Sequence, residues 1–402
     1  MLLTTPFSKF VATFICAIGV LICLVQYTSA DPTPTPTPTP CAPAPTSTPA
    51  TPTPIPRPVD VNIVAHQDDD ILFLNPDILN SVVAGHRQVT VFITSGSLSD
   101  PCYALHREEG AMEGYQKLLQ LADAIIAHPN HFNDLSGTFH GDSKYPAGCA
   151  SPTPHCFPCA EHADELSSPP PVTSMERQTL SIGSRSLATA HSDDGRVLLI
   201  FLRVQVPCAV DGNFDPVNPC PNQVDLATLF TSPDNNLQIE STFVGEPGYT
   251  RQQLRDTLVE ILNFVRPSVV RTQDTADGIV VDFPGTHFIP NLGCQLDDYL
   301  GYTNPQFYDH SDHVWGARFA NEAVRRYNRL PNIESPTYSN YRCYNLEWNE
   351  ALKTRVSTKD FCLKKSIFFR YAVHDDDIIA DGFSCFFYWY IGYQKGQPKN
   401  LH

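Results

Sequence analysis

The stretch VDVNIVA (residues 59–65), followed directly by HQDDD (residues 66–70), decides the fold and locates the chemistry. A short run rich in β-branched residues predicts a buried strand. The polar cluster follows at the point where this strand ends. In open α/β sheets, ligands bind beyond the carboxyl ends of the strands. We therefore expect residues 66–70 to face a functional cleft.

Similar apolar runs recur downstream and alternate with stretches of helical periodicity. The pattern predicts further strands at 88–94, 197–202 and 268–272, and helices at 70–84, 103–127, 251–265 and 312–327, with a mixed helical and aromatic end at 358–393. Strands that alternate with helices favour an α/β, Rossmann-like fold, in which a mainly parallel sheet carries helices on both faces. Residues 129–179 lack periodicity and are rich in Pro, Ser, His and Cys, which predicts an inserted loop held by disulfides.

The chain begins with features of export. Residues 1–30 contain Lys9, an apolar run at 10–25 and a small-residue cleavage site at Thr28-Ser29-Ala30, which together predict a signal peptide. An uncleaved membrane anchor is the alternative, although the run is short of the ~20 apolar residues of a spanning helix. We expect a secreted, extracellular protein with no stable membrane span in its mature form.

A Pro/Thr-rich linker at 31–58 follows, and the folded domain is expected to occupy 59–402. Twelve of the 36 prolines lie in this linker, which predicts an extended, semi-rigid spacer of polyproline type. Its threonines either carry O-linked sugars, as in mucin-like stalks, or stay unmodified.

Composition and charge exclude some classes of protein. Hydrophobic residues make up 42% of the chain, as in globular proteins. The 43 acidic residues outnumber the 27 Lys and Arg, giving a net charge of -16. A nucleic-acid binder normally carries a basic face, so we expect no nucleic-acid partner.

Ten of the 13 cysteines lie in the body of the protein, and an even number in an exported domain predicts disulfides. Cys208 and Cys220 bracket a polar loop and form a plausible pair. Cys156 and Cys159 have the spacing of a redox or zinc motif, but no second CxxC accompanies them, so structural bridging is favoured.

His66 and Asp69 are spaced so that both side chains converge on one cation as the chain turns into a helix. A neutral imidazole and a carboxylate suit Zn²⁺ or a related divalent ion. Asp68 then points elsewhere, where a base for a metal-bound water belongs. The alternative is that the three aspartates merely complement the dipole of a helix N-terminus.

A second polar motif, YDHSDH (residues 308–313), opens the late helix. His313 would complete a His/Asp/His set with a position left open for water, as in catalytic zinc sites. Alternatively, Ser311 or Asp312 only caps the helix and the histidines are surface residues.

The two motifs together resemble those of the PIG-L (LmbE-like) family of zinc-dependent N-acetylglucosaminyl deacetylases, which usually show AHPDDE and then HPDH or HSDH. Further blocks at 106–111, 248–251 and 266–274, with residues around Tyr341, resemble secreted bacterial-type members. The resemblance runs in blocks from about Val59 to about Asp375.

The resemblance implies a set of site residues: zinc ligands His66, Asp69 and His313; general base Asp68; His310 as the histidine that stabilises the oxyanion; Asp312 as the carboxylate that orients it; Tyr308 as an assisting tyrosine; and Arg107 as a substrate contact. Gln67 and Asp70 replace the usual Pro and Glu. HDDD at 374–377 imitates the first motif, but the aromatic surroundings favour a packed C-terminal element over a second metal site.

We therefore expect a zinc enzyme (another divalent metal is possible) that removes acetyl from an N-acetylated amino sugar or glycoconjugate. The alternatives are a metal-dependent amidase acting on another secreted small molecule, and a catalytically idle carbohydrate-binding module on a stalk.

Overall fold

The computed structural model describes residues 57–97, 100–130, 132, 135, 174–206, 224–275, 288–289, 294–295, 309–343, 355–376, 378, 391–399 and 401. All of them belong to one compact unit, Pro45–His402. The predicted signal peptide, nearly all of the linker and most of the predicted insertion lie outside the described residues. Among the described helices, none has the length and apolar character needed to cross a membrane.

The described strands are β1 (Val59–Val64), β2 (Arg87–Thr94), β3 (Met175–Ile182), β4 (Arg185–Ser192), β5 (Val197–Val204), β6 (Gln238–Ile239), β7 (Tyr249–Thr250), β8 (Val269–Gln273), β9 (Phe288–Ile289), β10 (Cys294–Gln295), β11 (Thr337–Tyr341) and β12 (Gly396–Lys399). The described α-helices are α1 (Asp77–Val83), α2 (Pro101–Ala127), α3 (Leu226–Thr231), α4 (Arg251–Val265), α5 (Ser311–Tyr327) and α6 (Thr358–Ala372), and a π-helical turn spans Asp70–Leu74.

Eight strands form one sheet in the order β12-β11-β8-β1-β2-β5-β4-β3. The five central strands, from β11 to β5, are parallel. The outer strands β12, β4 and β3 are antiparallel to their neighbours. The chain builds β2 and β5 on one side of β1 and then crosses to β8 on the other. This reversal is a topological switch point, where ligands of open α/β sheets bind.

Helices cover both faces of the sheet, as predicted. The π-helical turn, α1, α2 and α6 pack into one apolar cluster with the face of β1 that carries Val64. Helices α3, α4 and α5 pack into a second cluster with Val61 and Ile63. β1 is buried along its whole length because its side chains alternate between two covered faces. The predicted α/β, Rossmann-like architecture is confirmed.

Two predicted boundaries differ from the structure, and strands β3 and β4 were not predicted. The expected helix at 70–84 is split into the π-helical turn and α1, with the break at Asn75-Pro76, because proline disrupts the hydrogen-bond ladder of a helix interior. The expected loop extends to residue 179, but residues 175–182 form β3. β3 and β4 are half-exposed strands with polar sequences, and neither has the apolar run that predicts a strand.

Candidate metal centre

The first motif occupies the turn that leaves the carboxyl end of β1. Residues 65–69 lead from the strand into the π-helical turn, whose first turn is closed by the amide of Leu72 donating to the carbonyl of Asp68. His66, Asp68 and Asp69 are all buried. They therefore lie at the switch point between β2 and β8, in the position that the sequence predicts.

Helix α5 brings the second motif to the same place. His310 is its N-cap residue, and the ring Nδ1 accepts a hydrogen bond of 3.1 Å from the amide of Asp312. Gly316, one turn into the helix, lies against Ile93 of β2 and Ala65 at the end of β1, since a Cβ there would lie 3.3 Å from Cδ1 of Ile93 and 3.8 Å from the Cβ of Ala65. His313 lies three residues before Gly316 and shares its face of the helix. Close packing of α5 on β1 thus carries His313 to the end of the strand.

Asp69 lies between two imidazoles. Its Oδ1 is 3.0 Å from Nε2 of His313, and its Oδ2 is 3.4 Å from Nδ1 of His66. The same Oδ2 accepts a hydrogen bond of 2.6 Å from the backbone amide of His66, which fixes the carboxylate in the turn. The rings of His66 and His313 are 5.2 Å apart. Asp69 therefore contacts both predicted histidine ligands. Among the described residues, the groups here whose ligand atoms all lie within 4.8 Å of one another are His66 with His310 and His313, and His66 with Asp68 and Asp69.

Electrostatics in the cluster favour a cation. Burial by itself would raise the pKa of Asp69, but His313 and His66 hold that pKa well below its usual value. Burial would lower the pKa of both histidines, yet the facing carboxylates raise the pKa of His66 and raise that of His313 strongly. A divalent ion supplies the positive charge that these protons otherwise carry, and imidazole with carboxylate is a donor set that zinc accepts.

Asp309 is a buried neighbour of His313 for which the sequence predicts no role. Its Oδ1 is 2.7 Å from Nδ1 of His313, and both side chains are 0% exposed. With Nδ1 held by a carboxylate, Nε2 is the nitrogen directed at Asp69. Metal-binding histidines usually have such a carboxylate behind them, which fixes the tautomer and the ring orientation.

His310 lies beside the ligands, with its ring 4.7 Å from that of His66. Burial, followed by the neighbouring His66, lowers the pKa of His310 to about 3, so the ring is neutral. Because Nδ1 accepts from the amide of Asp312, the proton lies on Nε2 and can be donated. The carboxylate of Asp312 is closer to His66 than to His310, at 3.3 Å against 3.9 Å.

Asp68 meets Arg107 of α2. The guanidinium Nη2 donates a hydrogen bond of 2.7 Å to Oδ1 of Asp68. Burial raises the pKa of Asp68, and Arg107 opposes this effect. A carboxylate oxygen of Asp68 also lies within 4.8 Å of ligand atoms of His66 and Asp69, so this position is compatible with a metal ligand as well as with the predicted base.

The two departures from the usual first motif have structural partners. Asp70 accepts hydrogen bonds from the hydroxyl of Tyr115 at 2.6 Å and from the amide of Ile71 at 2.8 Å. Burial raises the pKa of Asp70 to about 7. Gln67 donates to the carbonyl of Thr94, across to β2. Neither side chain belongs to the groups with metal-ligand spacing in the described part of the chain.

Residues 374–376 of the C-terminal HDDD motif are described, and none of them belongs to a group with metal-ligand spacing in the described part of the chain. Asp375 is buried. The structure nevertheless brings Asp375 to Arg107, with Oδ2 and Nε 3.2 Å apart. His374 instead faces Glu113 of α2 at 3.1 Å. The sequence offers no signal for the contact between Asp375 and Arg107, because the two residues lie far apart in the chain.

Cysteines near the site correct one expectation. Cys343 is buried and is not part of a disulfide, so the prediction of disulfides among the body cysteines does not hold for this residue. Its ligand atom lies within 4.8 Å of those of Asp309 and His313. Cys102 and Cys362 are disulfide-bonded. Tyr308 and the predicted disulfides of the insertion and of the Cys208–Cys220 loop lie outside the described residues.

No protein-family model matches the chain, and no curated protein is similar to it in sequence. Two solved structures superpose on it at low TM-scores. The zinc-inhibited form of teicoplanin deacetylase Orf2 has a TM-score of 0.33 and 10% identity, over 81% of this chain and 86% of that one. GalB, the 4-carboxy-2-hydroxymuconate hydratase of Pseudomonas putida KT2440, has a TM-score of 0.27 and 11% identity, over 81% of this chain and 88% of that one. Similarity at this level assigns no function.

Proposed function

We propose that the chain is a secreted, zinc-dependent N-deacetylase of the PIG-L (LmbE-like) type, which hydrolyses the acetamide of an N-acetylated amino sugar or glycoconjugate. One observation supports this most directly. Asp69 lies between His66 and His313 at the sheet's switch point, with a separate buried carboxylate, Asp68, beside them. A ligand set with an adjacent base is the arrangement that metal-assisted hydrolysis requires.

In this proposal, His66, Asp69 and His313 would hold the metal ion. A bound zinc ion would lower the pKa of water toward ~7 and would polarise the acetamide carbonyl. Asp68 accepts the proton of the attacking water, and Arg107 keeps its carboxylate oriented through the 2.7 Å hydrogen bond. The Nε2–H of His310 donates to the developing oxyanion. Asp68 then returns a proton to the leaving amine.

The test compares the full chain with Asp68→Asn and His66→Ala. Amine release is measured with N-acetylglucosamine conjugates, and bound zinc is measured by elemental analysis. Asparagine preserves an oxygen for Arg107 but has no basic carboxylate, so we expect zinc content to be retained. Turnover should fall about 10²- to 10⁴-fold, the range of a lost general base. His66→Ala should lose both zinc and turnover.

Other results would redirect the proposal. Zinc binding without amine release from these conjugates, but with turnover of another amide, would replace the sugar substrate. Zinc binding without turnover on a broad amide panel would favour the idle carbohydrate-binding module. Absence of bound metal would refute the mechanism. N-terminal sequencing of exported protein tests secretion: a start near residue 31 supports a cleaved signal, and an intact N-terminus supports the anchor.

A further inference from the structure

Asp375 is a buried carboxylate that the proposed reaction does not use. Its Oδ1 accepts a hydrogen bond of 2.8 Å from the hydroxyl of Tyr103, and its Oδ2 accepts one of 2.6 Å from the hydroxyl of Tyr371. The same Oδ2 is 3.2 Å from Nε of Arg107, and Asp375 is only 2% exposed. A buried carboxylate with this many donors has a fixed position, so it is a firm anchor for a guanidinium.

Arg107 is held on three sides. Nε donates 2.6 Å to the hydroxyl of Tyr371, Nη1 donates 3.3 Å to the carbonyl of Gly96, and Nη2 donates 2.7 Å to Asp68. A Cβ on Gly96 would lie 2.2 Å from Nη1, so the backbone itself bounds the guanidinium. The Nε edge faces Asp375 and Tyr371, and this leaves the Nη2 end directed at Asp68.

Helix packing keeps the anchor in place. Gly110 follows Arg107 by three residues, so the two share a face of α2. A Cβ on Gly110 would lie 2.7 Å from the carbonyl oxygen of Tyr371 and 3.1 Å from the Cβ of His374. The end of α6 therefore contacts α2 directly at the face that carries Arg107.

We propose that Asp375 is a positioning residue, which orients the Arg107 guanidinium so that its Nη2 end reaches Asp68. This inference rests on the proposed function in that Asp68 serves there as the base. An arginine side chain has many rotamers, so a single contact at its tip holds it poorly. The paired contacts on the Nε edge remove that freedom before substrate binds.

The chain offers a matched pair of variants, Asp375→Asn and Asp376→Asn. They are adjacent, make the same change, and differ in that Asp376 is exposed. The full chain is treated with phenylglyoxal, and modification of Arg107 is followed by peptide mass spectrometry. Zinc content, kcat and KM for the N-acetylglucosamine conjugates are measured in parallel.

We expect Asp375→Asn to raise the rate of Arg107 modification at least several-fold. Its kcat should fall by up to about 10²-fold, as for a misplaced catalytic group. Zinc content should not change, and KM should change less than kcat. Asp376→Asn should behave as the wild type. If Asp375→Asn does not fold, Tyr371→Phe removes one hydroxyl from the same edge with little change of volume and should raise the modification rate in the same direction.

Two outcomes separate this inference from the proposed function. Unchanged protection of Arg107 in folded Asp375→Asn and Tyr371→Phe would overturn the positioning role, whatever the activity of the wild type. Faster modification of Arg107 in the variants, with no amine release by the wild type, would support the positioning role and refute the deacetylase.

Discussion

Asp309 provides the sharpest test of how the metal centre is built. Its Oδ1 accepts from Nδ1 of His313 at 2.7 Å and from the amide of His310 at 2.9 Å. Asp309→Asn preserves an oxygen at this place and removes only the charge. Asp309→Ala removes the acceptor from both donors. Loss of a carboxylate behind a metal-binding histidine typically weakens metal affinity 10- to 100-fold.

We therefore expect the zinc dissociation constant to rise about tenfold in Asp309→Asn and about 100-fold in Asp309→Ala, which corresponds to roughly 1.4 and 2.7 kcal/mol. The measurement is competition against a chelator of known affinity, with circular dichroism as a check that each variant is folded. Cys343→Ala is the control, because Cys343 is the other neighbour of His313 on this side. It should change zinc affinity by less than a factor of two or so.

The outcome distinguishes two places for the ion. Wild-type affinity in folded Asp309→Ala would refute the role of Asp309 behind His313. Equal losses in Asp309→Ala and Cys343→Ala would place the ion among Asp309, His313 and Cys343, whose ligand atoms also lie within 4.8 Å of one another. That result would contradict the ligand set proposed here.

Three further predictions concern stability. Burial lowers the pKa of Lys364 from 10.5 to about 7, so the unfolded chain binds more protons between these values and stability rises with pH there. Lys364→Met also removes the hydrogen bond from Nζ to the carbonyl of Tyr393, a loss that applies at every pH. Relative to the wild type, its free energy of unfolding should therefore be higher below pH 7 than near pH 10.5, by up to about 5 kcal/mol, and a difference independent of pH in urea titrations would contradict this. When free zinc is present at about 100 times its dissociation constant, removing it should lower the free energy of unfolding by about 2.7 kcal/mol. An unchanged melting temperature after chelation would argue against a bound ion. Tyr115→Phe removes the hydroxyl that bonds to both Asp70 and Thr90. It should lower the free energy of unfolding by about 1–3 kcal/mol without loss of zinc. An unchanged Tm would show that these hydrogen bonds do not stabilise the fold.

The centre of the fold was predictable from the sequence because β1, β2 and β5 carry apolar, β-branched runs typical of a buried strand, and β8 begins with two valines just after a helix that Pro267 stops. The edges were not. β11 has the polar sequence TYSNY, yet Tyr338 and Asn340 are buried by tertiary contacts that no local pattern announces. β3 and β4 are likewise recognisable only from their pairing with β5.

The candidate site shows the same division. Local spacing pairs His66 with Asp69, and His310 with His313, since each pair lies on one turn of chain. The distance between the two motifs depends on how α5 packs on β1, where Gly316 allows the close approach. Asp309 and Asp375 were unassigned because their roles exist only through partners, His313 and Arg107, that packing places beside them.

Charge gives the reason why this cluster suits a dication. Asp69, Asp309 and Asp312 are buried, and each of these carboxylates faces a histidine ring at the site. One of these, His310, is neutral. Arg107 is already shared between Asp68 and Asp375. Buried carboxylates without matching positive charge are costly, so without a metal the two remaining imidazoles must retain protons. A divalent ion carries two positive charges and so replaces the protons of the two imidazoles. A helix cap with a purely structural role needs only one side-chain acceptor and does not require several buried carboxylates.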